Sequence, residues 1–535
     1  MHPTENTASR LSSQEGATDV PVIESSVGEA LRLAARQWPQ MSALVTGEEE
    51  PARRGRWTFS ELLSHAERSA WALLKRFRPG DHVAVWAPNC AEWVFIEFGA
   101  ALAGITLVTV NPSYTANELA HVLSQSMSKG IIFWPVYRGR DLAALIAEVR
   151  SGLSLLHEAI SMDEWDALVA GAEPVALPEV GAGDIAQIQY TSGTTGFPKG
   201  AELTHRGLVN NAKFYASAIG AVPGDVWVNP MPMFHTAGCG LVTLGALQTG
   251  GVHVLPPMFD PELMLELLES ERGTIVLSVP TMLIRMLDQP SVSTRNLTAW
   301  RLATLGGAPV PPELVRRAQG LLSLKVCIGF GQTESSPYIT HTTPDDAHPE
   351  WWLTVGRPLP QTEVKVVDPE TGETLPRGWV GEICARSRCV MKGYYLDPAA
   401  TAKALDADGW LHTGDLASMD ELGYLRIQGR LKDMIIRGGE NIYPREIEDV
   451  LFTHPSISGV AVIGTPDAEW GEVVVAFVQL RAGEPTTAED LKEFCKLHLA
   501  SFKVPRIWRF VDSFPQTASG KIQKFALRAQ LLEKS

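Results

Sequence analysis

Apolar positions in this chain fall into short unbroken runs alternating with stripes of helical period. TFSELLSHAERSAWALLKRF (58–77) opens on Thr58 with Glu61 three residues on, a capping box that starts an amphipathic helix. HVAVWAPN (82–89) then reads as a buried strand. VFIEFGAALAGITLVTV (94–110) reads as a buried helix running into a strand, because Glu97 interrupts it and it is too short to span a bilayer comfortably. GVHVLP, PELMLELLESER, TIVLSVP and TMLIRML, between 251 and 287, repeat strand, helix, strand, helix. Such alternation predicts α/β layers with largely parallel sheets.

The pattern changes after about residue 355. TEVKVVDPETGETLPRGWVGEICARS (362–387) has strand-like pieces divided by Pro and Gly turns, with no helix between them. It predicts a small antiparallel or barrel-like unit. Beyond Arg430, GVAVIG, EVVVAFVQL and RIWRFV read as strands. TAEDLKEFCKLHLA reads as a helix with Thr487 and Asp490 in capping positions. The expected organisation is a polar tail (1–24), a large α/β domain (25–430) containing the barrel-like unit (336–430), and a small α+β domain (431–535).

Composition narrows the partners. The 535 residues are 45% hydrophobic and carry a net charge of −15, which argues against nucleic acid or an anionic membrane as partner. Any nucleotide site must therefore bring local positive charge or backbone N–H donors. The six cysteines at 90, 239, 327, 384, 389 and 495 form no C-x-x-C pair and show no metal-like spacing to histidine. Buried, reduced thiols and a cytoplasmic setting are expected. The polar N-terminal segment has neither the basic start nor the apolar core of a signal peptide.

YTSGTTGFPKG (190–200), following IAQIQ, packs Gly, Ser and Thr around one lysine. A Walker loop needs Gly directly before its Lys-Ser/Thr pair, whereas Pro198 precedes Lys199 here. A dinucleotide fingerprint needs three glycines, whereas GFGQTE (329–334) has two and then Glu334. The chemistry is nonetheless that of an anion cradle. Glycines admit close approach, successive N–H groups can form a nest, hydroxyls donate, and Lys199 adds charge. Alone, such a loop is most often only a loop.

Taken with MPMFHTAG (231–238), GGAP (306–309), GFGQTES (329–335), HTGD (412–415), GRLKDMIIRGGENIYPREIE (429–448) and PQTASGK (515–521), it resembles the adenylate-forming superfamily. That superfamily comprises acyl-CoA synthetases, luciferases and peptide-synthetase adenylation domains. The resemblance runs from about residue 25 to the end. It implies ATP, Mg²⁺ and coenzyme A, and a reaction in which a carboxylate and ATP give an acyl-adenylate whose acyl group passes to a thiol.

Residue by residue, the resemblance implies that Thr191, Ser192, Gly193, Thr194, Thr195, Gly196 and Lys199 wrap the β- and γ-phosphates. Gly307, Ala308 and Pro309 would line the adenine slot with Gly329 and Phe330, in a run continued by Gly331 and Gln332. Thr333 would meet the α-phosphate, and Glu334 with Thr191 would hold Mg²⁺. Asp415 would accept from the ribose hydroxyls, with Arg430 nearby. Lys521 would reach the α-phosphate and the attacking carboxylate during adenylation. Lys432 would mark a hinge, and Gly438 and Gly439 would let the pantetheine arm pass. The expected catalytic set is Lys521, Glu334, Thr191 and His235. As structural alternatives, Asp415 is a turn residue and Glu334 compensates a helix dipole. Lys432 and Lys521 are then solvated surface lysines.

His235 stands where amino-acid-activating relatives carry Asp, so a free α-amino acid is not the expected substrate; a satisfied core histidine is the alternative. Gly238, Gly240, Gly306 and Gly307 suggest a roomy apolar channel. The motifs look most like the medium-chain fatty acyl-CoA synthetase branch, which implies a medium-chain, branched or cyclic alkanoic acid. An aryl acid–CoA ligase and an acyl-AMP ligase serving a separate carrier protein stay open. So do a luciferase-like monooxygenase and a non-catalytic binding protein of the same fold. The implied partners are the acid, ATP and CoA, without stable membrane insertion; a homodimer is left open.

Overall fold

The computed structural model describes residues 11–191, 198–438, 440–467, 469–481, 483, 485–516 and 522–532. Local signals hold where they were strongest. The Thr58 side chain accepts from Glu61 N–H, Glu61 reaches back to the cap, and the helix runs Phe59–Leu74. Thr487 and Asp490 form the same box at the start of Ala488–His498.

Two parallel-rich sheets dominate. The larger has nine strands, in the spatial order Arg357–Pro358, Tyr338–His341, Lys325–Gly331, Leu302–Leu305, Ile275–Ser278, Val226–Val228, Val252–Leu255, Ser42–Thr46 and Arg56–Thr58. Its six inner strands, from Lys325–Gly331 to Ser42–Thr46, are parallel. The second has six strands, in the order Lys199–Thr204, Ile185–Thr191, Thr106–Thr109, His82–Trp86, Gly130–Phe133 and Glu158–Ser161. Only the outer Lys199–Thr204 strand is antiparallel to its neighbour.

Helices Val27–Gln37, Phe59–Leu74 and Ala91–Ala103 share one apolar core with both sheets, reaching Leu44 and Leu255 on one side and Val83, Val85 and Leu107 on the other. Ala91–Ala103 is buried all round, which is why its sequence shows no amphipathic stripe. Burial of side chains such as Trp93 and Phe98 contributes about 1.5–3 kcal/mol each. Gly104 ends this helix at φ +66°, a left-handed cap that suits glycine.

Within this core lies one acidic group, Glu97, 3% exposed. Its Oε1 accepts from the Gln187 amide at 2.9 Å. Gln187 accepts from Gln189 at 2.6 Å, and Gln189 donates to Cys239 Sγ at 3.2 Å. Burial raises the Glu97 carboxyl well above the usual range, which favours its neutral form.

The antiparallel unit is a sheet of five strands ordered Ser13–Glu15, Thr362–Val367, Gly381–Ser387, Leu411–Met419 and Leu425–Arg430. Two details depart from the sequence reading. Ser13–Glu15, within the polar tail, pairs with Thr362–Val367 as an edge strand. Tyr338–His341 and Arg357–Pro358, assigned to the barrel-like unit, instead extend the nine-stranded sheet, with Arg357–Pro358 at its edge. There Tyr338–His341 folds back antiparallel on Lys325–Gly331.

Past Arg430, strands Ile435–Arg437, Glu440–Ile442, Ile457–Asp467, Gly471–Leu480 and Ile507–Phe510 pair in one sheet. Their core, with Ile447 and Leu491 from two helices, is separate from those of the large sheets. Among the described residues no helix is long and apolar enough to cross a membrane.

Candidate functional site

The Gly-rich segment is the connection of a β-hairpin. Ile185–Thr191 and Lys199–Thr204 pair antiparallel, with Tyr190 opposite Gly200 and Thr191 opposite Lys199. The pairing pins both ends of the segment. Ser192, Gly193, Thr194, Thr195 and Gly196 lie outside the described residues.

Lys199 faces the next group. Its Nζ lies 5.1 Å from the centre of the Tyr394 ring, and the Tyr394 hydroxyl donates to Glu334 Oε1 at 2.7 Å. Glu334 is 8% exposed, and its Oε2 has no partner among the described residues. Burial and the neighbouring Glu334 carboxylate hold the Tyr394 phenol well above its ordinary pKa, so it remains a donor. Thr191 Oγ1 points back to Lys199 O at 3.5 Å.

A strap fixes this group. Met391 N–H donates to Glu334 O, Lys392 N–H to Glu202 O, and Tyr395 N–H to Gly200 O, at 2.7–2.9 Å. The Asn211 side chain donates to Ser335 O and Tyr338 O and accepts from Tyr338 N–H, pinning the turn after Glu334. Tyr394 and the MKGYY strap were missed in the sequence. The available signal was an aromatic pair directly after Gly393.

The second group lies where two adjacent parallel strands end. Leu302–Leu305 leads into Gly306, Gly307, Ala308 and Pro309, while Lys325–Gly331 ends in Gly329, Phe330 and Gly331 before Gln332 and Thr333. Open α/β sheets bind ligands at the carboxyl ends of their strands. Gly307 has φ +75°, which turns the chain away from the strand. The expected roomy channel does not hold at every glycine. A Cβ on Gly306 would lie 2.5 Å from the Tyr338 hydroxyl, and one on Gly238 would lie 2.3 Å from Pro232 O. Those two are small because the chain packs tightly there. Gly240 has its nearest neighbour at 3.6 Å and is less constrained.

His235 is half-buried and accepts the Ala237 N–H on Nδ1 at 3.1 Å. It precedes a π-helical stretch, Ala237–Thr243, a rare geometry that recurs at functional positions. Cys239 Sγ, the end of the Glu97 network, also contacts His235 O at 3.4 Å.

Asp415 and Arg430 form the third group. They face each other across strands Leu411–Met419 and Leu425–Arg430, and Arg430 Nε donates to Asp415 Oδ1 at 3.1 Å. Asp415 is 7% exposed, so this is a held carboxylate and not a free turn residue. Lys432 lies close by and is exposed. Its ammonium is nevertheless shifted below its ordinary pKa, first by neighbouring protein that displaces water and then by Arg430.

Gly438 belongs to the small unit, at φ +59°, donating to Trp470 O at 2.8 Å. Gly439 and Lys521 lie outside the described residues. On either side of the undescribed residues 517–521, Gln516 and Ile522 pair in an antiparallel bridge. Lys524 anchors the following helix by an ion pair of 2.7 Å to Glu448.

Gly-rich turns at the ends of parallel strands, a lysine on the neighbouring hairpin and two buried carboxylates, Glu334 and Asp415, fit a nucleotide-using α/β enzyme. The chain belongs to the family of AMP-binding enzymes, whose profile matches residues 31–395, with the C-terminal domain of that family matching 446–521. It is 40% identical to "Putative acyl-CoA synthetase YngI" of Bacillus subtilis, covering 96% of this chain and 98% of that one. It is 37% identical to the medium-chain acyl-CoA ligase ACSF2 of Rattus norvegicus, a mitochondrial protein, covering 97% and 90%. The anthranilate CoA ligase AuaEII, solved with anthranoyl-AMP, superposes with a TM-score of 0.87 at 26% identity over 97% of this chain and 99% of that one. The class is therefore that of the AMP-forming acid–CoA ligases.

Proposed function

We propose that the protein joins a medium-chain fatty acid, or a branched or cyclic alkanoic acid of similar size, to coenzyme A through an acyl-adenylate. One observation carries the adenylate chemistry, Tyr394 bridging buried Glu334 and Lys199 beside the Gly-rich hairpin, and the likeness to the medium-chain ligase ACSF2 supports the acid class. A carboxylate approaching a triphosphate must overcome repulsion of about 4 kcal/mol per close unit pair at intermediate dielectric. Cations and N–H donors at the hairpin offset it.

In the first step a carboxylate oxygen bonds to the α-phosphorus and the bond to pyrophosphate breaks. Residues 191–199 cradle the β- and γ-phosphates, and Thr333 meets the α-phosphate. The adenine lies among Gly307, Ala308, Pro309, Gly329 and Phe330, and Asp415 accepts from the ribose hydroxyls beside Arg430. Lys521 supplies charge to both reacting anions. Glu334 Oε2 and the Thr191 hydroxyl are hard oxygen donors of the kind Mg²⁺ takes, which supports these two as its holders. When bound, Mg²⁺ would neutralise phosphate charge.

In the second step the CoA sulfur bonds to the acyl carbon and AMP leaves. A thiol of pKa about 8.5 is partly ionised at neutral pH and the anhydride is a good leaving group, so no general base is assigned. Lys432 serves as the hinge about which the small unit turns between steps, and Gly438 and Gly439 admit the pantetheine arm. His235 borders the acyl group.

A second reading, an aryl acid as substrate, draws support from the likeness to AuaEII. Pyrophosphate release with ATP and CoA, measured over short, medium, long, cyclic and aromatic acids, separates the two. The highest kcat/KM is expected for medium-chain or cyclic alkanoates. Preference for aromatic acids would move the assignment to the second reading. Release of pyrophosphate without any acyl-CoA would refute CoA as acceptor.

A further inference from the structure

We propose that Glu382, Cys384 and His412 form a binding site for a thiophilic divalent cation of the zinc class. Cys384 and His412 are direct partners across strands Gly381–Ser387 and Leu411–Met419. Glu382, two residues before Cys384, shares its face of the strand. Between Glu382 and Cys384 the partner jumps from Leu416 to His412, so Thr413–Asp415 have no register partner on Gly381–Ser387. Such register shifts redirect side chains. Here His412 Nδ1 comes to 2.9 Å from Glu382 Oε2 and 3.5 Å from Cys384 Sγ. All three ligand atoms lie within 4.8 Å of one another.

Zinc bonds to S, N and O donors place neighbouring tetrahedral ligands roughly 3.3–3.7 Å apart. The three atoms need only small shifts to meet that. The other imidazole nitrogen, Nε2, lies at an ion-pair distance of 3.8 Å from Asp406 Oδ2, on the side from which an outer carboxylate orients a metal-bound histidine. Glu382 also accepts the Gly414 N–H, but on Oε1, so supporting the shifted segment leaves Oε2 for the ion. Cys384 and Glu382 are buried, while the His412 side chain is 29% exposed and gives the ion a way in.

Charge supports the assignment. One carboxylate and one thiolate balance a divalent ion. Thiolate ligation exchanges the thiol proton for the cation and releases that proton to solvent. The ion would fix the segment from His412 to Asp415.

Cobalt(II) tests the site, because thiolate ligation gives a near-ultraviolet charge-transfer band and tetrahedral geometry gives visible bands. Titration of the full-length chain should show both, at one ion per chain. Cys384→Ser should remove the charge-transfer band, Asp406→Asn should weaken binding about 10-fold, and Cys90→Ser should change neither. Persistence of the band in Cys384→Ser, its loss in Cys90→Ser, or no bands at all would overturn the proposal. Circular dichroism reports folding of each variant. If Cys384→Ser does not fold, His412→Gln carries the test, and unchanged affinity there would overturn it equally.

Discussion

The strand-borne groups and the small C-terminal unit contrast sharply in how they hold the residues proposed for the reaction. Glu334 and Asp415 are buried, seated on or beside strands, and each has a charged or phenolic partner at hydrogen-bond distance. Lys432 and Gly438 are exposed, in a short turn and a tight hairpin. Binding groups that must meet ATP in one geometry gain from rigid support. Groups that serve only one of two steps gain from a mount that can move.

That contrast can be broken by separating the half-reactions. Lys521→Ala should lower acid-dependent adenylation about 10²–10³-fold, the scale of one lost transition-state charge contact. Thioester formation from supplied acyl-adenylate should persist. Parallel loss of both in a folded protein would remove the two-state division. Glu334→Gln should weaken Mg²⁺ dependence about 10–100-fold, read as the shift in the Mg²⁺ concentration giving half-maximal adenylation. An unchanged midpoint would exclude Glu334 as a metal holder. Lys432→Pro, which stiffens the turn, should leave adenylation intact and slow thioester formation about 10-fold. Equal slowing of both steps would take the hinge away from this position.

The smallest expected effect concerns the core behind His235. Burial favours the neutral form of Glu97, so Glu97→Gln should cost under about 1 kcal/mol, while Glu97→Leu strands the Gln187 amide and costs about 1–3 kcal/mol in denaturant unfolding. The sign with pH follows from the raised carboxyl. Its contribution is fully present below the unfolded value, about 4.3, and is lost as pH rises toward the folded one. Glu97→Gln should flatten that slope, and a slope unaltered by the substitution would assign the pH dependence elsewhere.

Much of this was legible because its causes are local. The Thr58 and Thr487 boxes, the parallel strands from 251 to 287 and the antiparallel run from 362 onward follow from capping, periodicity and turns. Motif resemblance placed Arg430 near Asp415, and the structure adds that the two are bonded directly. What stayed hidden depends on contacts distant in sequence. Ser13–Glu15 is too polar and short to announce a strand, and pairs only because Thr362–Val367 offers an edge. Tyr394 meets Glu334 across 60 positions. Gly306 and Gly238 looked like open space, yet neighbouring atoms occupy the place of each missing side chain. The cysteine pattern showed no metal spacing because Cys384 and His412 meet only through strand pairing.

Oxygen transfer tests the central claim most directly. A medium-chain acid labelled with ¹⁸O in its carboxylate is incubated with the enzyme, ATP and CoA, and the products are weighed by mass spectrometry. If the carboxylate attacks the α-phosphate and the thiol then expels AMP, one labelled oxygen appears in AMP and none in pyrophosphate. Label in pyrophosphate or inorganic phosphate, or unlabelled AMP beside acyl-CoA, would contradict the acyl-adenylate route.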